Sequence, residues 1–170
     1  ESWWQQFTGE AIVGELTGAK LTMGPSRLES FERFKLRYPQ GKVLVPNNKN
    51  VRRYGLNPYI GYDSSEKPIL YRGDYEGPVP ALARVVVVAE QAWSLELLRT
   101  KGEIQTSNII LSWQAGQNSA VDTSDITKGR DVGNVLVQQK TDAGLKDMVY
   151  NVTFAFAFKA FHPNGTIIVE

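Results

Sequence analysis

Apolar residues in this chain come in short bursts separated by glycine, proline and polar residues, with few long periodic stripes. Ala11-Ile12-Val13 and Leu21-Thr22-Met23 flank Thr17-Gly18, the composition of two brief strands about a turn. Val43-Leu44-Val45, Ile109-Ile110-Leu111 and Val135-Leu136-Val137 read as further strands. Arg84 opens Val85-Val86-Val87-Val88, the strongest candidate for a fully buried strand. Helical spacing shows first in Leu28, Phe31, Phe34 and Tyr38, with Glu29, Glu32, Arg33 and Arg37 on the opposite face. Ser26 and Glu29 supply a capping box behind Pro25, and Pro39 with Gly41 ends that helix. Ser94 caps a second short helix through Leu98, with Leu95 and Leu98 inward.

The stretch Val149–Ala160 carries two patterns at once. Phe154, Phe156 and Phe158 alternate with alanines as in a strand, yet Phe154, Phe158 and Phe161 stand at helical spacing. An internal echo favours helix: Phe34-x-x-x-Tyr38-Pro39-x-Gly41-x-Val43-x-Val45 is matched by Phe158-x-x-x-His162-Pro163-x-Gly165-x-Ile167-x-Val169. The expectation is therefore strand over 149–153, helix over 154–161, a Pro/Gly stop and a final strand. The whole reads as α+β: a single strand-rich mixed domain over 1–170 with two or three short helices. Within it, helix–stop–strand units of a degenerate repeat fall near 26–45 and 154–169.

Between Pro46 and Pro80 periodicity vanishes and a long Tyr/Pro/Gly-rich loop takes over. Tyr54, Asn57, Tyr59, Tyr62 and Asp63, with Arg53 adding positive charge, are the candidate ligand-binding residues. Flat amphipathic rings beside amide and carboxylate groups suit stacking on a sugar, base or peptide. The same residues equally describe a loop packed on its own tyrosines. The polar segment Gln114–Arg130 reads as an exposed connection. Trp3, Trp4 and Phe7 form an aromatic cluster suited to partner contact.

Composition narrows the chemistry more than it selects any. The chain has 170 residues, 42% hydrophobic and 22% charged, and a formal net charge of +1. That balance speaks against nucleic acid or anionic lipid as the main partner. No cysteine is present, which removes disulfides and thiol chemistry, and one histidine is too few for a typical transition-metal site. No metal or cofactor is expected. Asp122, Asp125 and Asp131 lack the alternating ligands, central glycine and closing glutamate of a calcium loop, and Asp131-Val132-Gly133-Asn134 reads as a turn. His162, the single imidazole, is a candidate acid–base group or a C-terminal helix cap. No Gly-x-Ser-x-Gly elbow, phosphate loop or dinucleotide fingerprint occurs. The longest apolar stretch, Val85–Ala89, is too short to span a bilayer, so no membrane insertion is expected. The opening Glu1-Ser2-Trp3-Trp4 reads as the start of a mature or trimmed form.

Several phrases together resemble the DUF3179 proteins, a bacterial family of unassigned function. They are Trp4-Gln5-Gln6-Phe7-Thr8-Gly9-Glu10-Ala11 with Gly14, Phe34 with Tyr38-Pro39, Tyr54-Gly55-x-Asn57-Pro58-Tyr59-x-x-Tyr62, Arg84-Val85, and Phe156-Ala157-Phe158-x-Ala160-Phe161-His162-Pro163. The resemblance implies an earlier segment bearing a Cys-Pro-x-Cys-Gly motif, which is not among these residues. Arg84-Val85-x-Val87, Ala92-Trp93-Ser94-Leu95 and Ile110-Leu111-Ser112-Trp113 resemble the surroundings of that motif, with Gln114–Ser119 where its cysteines would follow. It also implies a periplasmic or otherwise exported protein. The functional expectation is a non-catalytic binding or assembly module whose partner is a missing amino-terminal segment or another protein. The alternative is an extracytoplasmic hydrolase using Asp63 or Asp131 with His162.

Overall fold

Four consecutive valines leave a strand with no face fit for water, and the layers are arranged around them. A computed structural model describes residues 1–170. Its strands are β1 (Ser2–Gln5), β2 (Glu10–Gly14), β3 (Arg84–Val88), β4 (Gln91–Ser94), β5 (Glu103–Gln105), β6 (Ile109–Gln114), β7 (Asn134–Thr141), β8 (Gly144–Asp147), β9 (Asn151–Phe154) and β10 (Thr166–Ile168). Its helices are α1 (Phe31–Arg37), α2 (Leu95–Lys101) and α3 (Ala155–Phe161). This is the mixed α+β fold that the hydrophobic pattern predicts.

Two four-stranded sheets have the orders β10-β4-β3-β9 and β5-β6-β7-β8, and β1-β2 form a separate hairpin. Only β10 runs parallel to its neighbour, β4. Because side chains alternate along a strand, β3 builds two cores at once. Val86, opposite Trp93, joins Leu95, Leu98, Ile109, Leu111, Val135, Val137 and Tyr150 between the two large sheets. Val85 and Val87 turn the other way, onto Ala92, Ala155, Phe158 and Ile167. The order of layers is therefore α3, first sheet, second sheet. Each fully buried aliphatic side chain contributes about 1.5–3 kcal/mol to this arrangement. The Tyr150 hydroxyl, sunk in the core, donates to the Val135 carbonyl at 2.7 Å.

Local signals explain most boundaries. Ser94 caps α2 by accepting from the Leu97 N–H, and α2 buries Leu95 and Leu98 as expected. Strand β9 runs straight into α3, which ends at His162, where the His162 N–H returns to the Phe158 carbonyl at 2.8 Å. The strand-then-helix reading of 149–161 thus holds.

Four expectations need correction. The Ser26–Glu29 capping box is unused: Arg27 and Ser30 are tied outward, to Asp147 and to the Asn134 side chain, so the chain stays extended through Ser30. Ser30 itself caps α1, accepting from the Arg33 N–H, and Glu29 pairs with Arg37. Leu21–Met23 is not a strand; the turn at Thr17-Gly18 exists, but pairing stops after the Glu10–Lys20 bridge and the Leu21-to-Gly9 bond. Val43–Val45 forms no strand because nothing lies beside it, and Leu44 is 99% exposed. Gln114–Arg130 is folded, with Ser119 buried and bridges joining Asn118 to Asp131 and Leu56 to Asp125.

The two echoing segments share their backbone. Ser30 and Phe154 precede their helices with ψ of 151° and 149°, and Tyr38 and His162 follow them with φ of −130° in both. The Gly41 N–H bonds the Tyr38 carbonyl at 2.8 Å, and the Gly165 N–H bonds that of His162 at 2.9 Å. The Phe34 and Phe158 rings lie over these glycines where a Cβ would stand, so both positions need glycine for space. Burial separates them: Phe158 is wholly buried, and Phe34 is half-buried.

Candidate functional site

A glycine in the left-handed region aims the one buried carboxylate of the tyrosine loop. Gly61 (φ 69°) precedes a single 3-10 turn, Tyr62–Ser64, and turns Asp63 inward until only 3% of its side chain is exposed. The Ser119 hydroxyl donates to Asp63 Oδ2 at 2.7 Å, and Arg84 Nη2 donates to the same oxygen at 3.2 Å. Arg130 Nη2 donates to Oδ1 at 2.5 Å and also reaches the Ser64 hydroxyl at 2.8 Å. Arg84 is steadied by Ser119 Oγ at 3.0 Å and lies over the Phe154 ring, 5.1 Å from its centroid. Burial alone would push the Asp63 carboxyl up. Hydrogen bonds from Arg130, Ser119 and Arg84 outweigh it and hold the group below the ordinary carboxylate range.

Both oxygens of Asp63 thus accept from donors, three in all, and the group stays ionised. That is the chemistry of a fastening: a carboxylate held ionised by two guanidinium groups and a hydroxyl has no proton to give. Asp131 is in the same condition. It accepts from the backbone N–H of Gly116 (2.8 Å), Gln117 (3.1 Å) and Gly133 (2.8 Å), which makes the expected turn into β7. Burial raises its carboxyl, and these three donors with the Arg99 charge bring it below the usual range. His162 meets neither aspartate. Its Nδ1 lies 2.8 Å from Glu90 Oε1 in the β3–β4 turn, and its ring stacks on Phe158 at 5.2 Å.

Around the fastening lie two shallow clefts. One, of about 230 Å³, is lined by Asp63, Arg84, Glu96, Arg99, Arg130 and Asp131 among others, three cations against three carboxylates. The second, about 190 Å³, is mostly apolar, with Leu95, Val121, Val132, Val152 and Phe154 in its walls. Arg84 stands in the wall of both. No group of three or more His, Asp or Glu side chains converges as a metal site, and no helix is long and apolar enough to cross a membrane.

Of the sequence-named loop residues, the structure brings Tyr59 and Tyr62 together, with ring centroids 6.3 Å apart, but gathers the set around no one cleft. Asn57 is buried as a stitch: its N–H reaches the Ser124 carbonyl (2.9 Å), its amide nitrogen the Thr123 carbonyl (3.2 Å), and its Oδ1 accepts from Tyr59 N–H (2.6 Å). Tyr62 sends its N–H to the Val121 carbonyl at 3.0 Å and sets its ring edge-on to Phe154 at 5.5 Å. Arg53, Tyr54 and Tyr59 are exposed and line neither cleft. At the other end, Phe7 stacks on Phe161 of α3 with centroids 4.2 Å apart, whereas Trp3 is 70% exposed and Trp4 is exposed beside it. Arg84, Ser119 and Arg130 escaped functional notice in the sequence. They stand 21, 56 and 67 residues from Asp63, and no local pattern links them.

The model of one family, described as a protein of unknown function (DUF3179), matches residues 1–165. The chain belongs to the DUF3179 family. No curated protein and no solved structure matches it. The phrases that carry the DUF3179 resemblance fall on the parts that fasten the fold: β1–β2, the stops after α1 and α3, the stitched loop Tyr54–Tyr62, and Arg84. In this DUF3179 chain they supply the hairpin, the helix stops and the stitched loop.

Proposed function

We propose that this chain is a non-catalytic assembly module: a closed platform over residues 82–170 that presents an apolar face, built mainly from residues 1–45, to a further segment of its own polypeptide or to another protein. The observation that carries the reading is where large apolar side chains meet water. Of those strongly exposed, all but Leu145, Val149, Phe161 and Val169 lie before residue 71. Trp3, Trp4, Ile12, Val13, Phe31, Leu36 and Leu44 are among them, and so much large apolar side-chain exposure gathered in one part of a chain suits a surface that a partner covers. Phe7 roots the tryptophan hairpin on α3, so the face has a fixed base. The hydrolase alternative finds less support, because Asp63 and Asp131 are each held by three donors and His162 pairs with Glu90 and with neither aspartate. An exported location belongs to this reading on the family resemblance.

The test uses the isolated 170-residue chain. It is expected to bind an apolar-surface dye while folded and to self-associate as concentration rises. The double variant Trp3→Ser/Trp4→Ser is expected to reduce both, with the melting temperature within a few degrees of the parent. A dye-silent monomer at every concentration would contradict the proposal. So would a stabilising shift with a sugar or nucleotide that disappears on mutating Tyr54 and Tyr59, since that would make the loop a small-molecule site.

A further inference from the structure

The assembly reading can be carried to a specific occupant, because the chain holds a covered copy of the uncovered unit. Leu28–Val45 and Val152–Val169 correspond residue for residue without a gap, with Phe34/Phe158, Lys35/Lys159, Pro39/Pro163, Gly41/Gly165 and Val45/Val169 identical. Both segments run extended chain, N-cap, a seven-residue helix and the same glycine-dependent stop. In the second unit the stop leads into β10, which lies parallel on β4 with Ile167 opposite Ala92. Phe158 is sealed there by Val85, Val87 and Ala92 of the β3–β4 hairpin. In the first unit the equivalent segment, Val43–Val45, pairs with no strand and is exposed, and Phe34 is only half-buried.

Resting on the assembly reading above, we propose that Val43–Val45 is an edge strand awaiting a parallel neighbour, and that Phe34 is the knob that neighbour covers. The occupant is an apolar β-hairpin of the β3–β4 kind, carried by polypeptide on the amino-terminal side of Ser2. Its side chains over Phe34 are small or β-branched, as Ala92, Val85 and Val87 are over Phe158. The order of elements gives the direction: in the second unit the hairpin precedes its helix in the chain. Nothing within residues 1–27 serves, since β1 and β2 are paired with each other. Strand addition suits this site because unpaired backbone groups supply affinity while alternate side chains supply selectivity.

Hydrogen exchange tests the assignment, comparing the full natural polypeptide with the isolated 170-residue chain. The amides of Lys42–Val45 are expected to exchange freely in the isolated chain and at least about a hundred-fold more slowly in the full polypeptide, approaching those of β10. Val43→Asp is expected to abolish that protection while leaving exchange in β3, β6 and β7 unchanged. Equal exchange at 42–45 in both proteins overturns the proposal, as does a natural polypeptide with no strand-forming sequence before Glu1. Protection in the isolated chain that grows with concentration also overturns it, in favour of a second copy. If Trp3 and Trp4 become shielded while 42–45 stays open, this assignment fails and the assembly reading survives; if neither changes, both fail.

Discussion

Asp63 shows how far a single residue can be read from its neighbours in sequence. The loop composition marks it as a candidate, but its meaning depends on Arg84, Ser119 and Arg130, which only the folded chain brings to it. Breaking a buried pair strands the remaining charge, so Asp63→Asn is expected to cost on the order of 2–3 kcal/mol, read from the urea midpoint. The value sits at the low end of such losses because Arg130 is half in water. Acid stability follows from the same geometry. Asp63, Asp131 and Asp147 all titrate below the ordinary carboxylate range; burial raises each, and Arg130 for Asp63, backbone N–H groups for Asp131 and Arg27 for Asp147 outweigh it. The unfolded chain therefore binds protons first as pH falls. Their stabilisation is complete above about pH 5 and is lost progressively as pH drops through the folded-state values. Urea midpoints between pH 7 and pH 3 should show this decline, and Asp63→Asn should make it shallower. A variant whose midpoint falls as steeply as the parent's would remove Asp63 from the explanation.

At the scale of elements, legibility follows burial. The four valines of β3, the Ser94 cap and the cores of β6 and β7 were plain in the sequence because burial and capping are local in their demands. The competition between Ser26 and Ser30 was not. Both are good caps, and long-range bonds from Arg27 to Asp147 and from Ser30 to Asn134 decide between them. The strand at 43–45 was written correctly as a pattern yet has no neighbour to pair with, and a pattern cannot report that. Two matched helices make the contrast measurable. Phe158→Ala removes a fully buried ring and should cost about 3–5 kcal/mol, whereas Phe34→Ala at the half-buried equivalent should cost under about 1 kcal/mol in the isolated chain. Equal losses in thermal or urea unfolding would mean that the first unit is already sealed.

Over the whole molecule, stability and exposure are divided along the chain. Both hydrophobic cores draw their buried members from residues 85–167, while the amino-terminal segment is attached through polar and aromatic contacts such as Arg27–Asp147 and Phe7–Phe161. The closed part holds itself together, and the open part has apolar side chains left over. Both fit the proposal above, in which matching helix-and-stop segments are covered by a hairpin in one place and bare in the other. Sequence alone reached the echo and the tryptophans as a contact surface, but not the stacking of Phe7 on Phe161 or the bareness of Val43–Val45, which depend on what the remainder of the chain leaves uncovered. The chain's lack of cysteine permits a direct test. A single thiol placed by Leu44→Cys in the isolated protein should react with a disulfide reagent at nearly the rate of an unfolded control, and one placed by Ile167→Cys should react orders of magnitude more slowly, gated by opening of the fold. Slow reaction at position 44, matching that at 167, would show the first unit already covered and contradict the account.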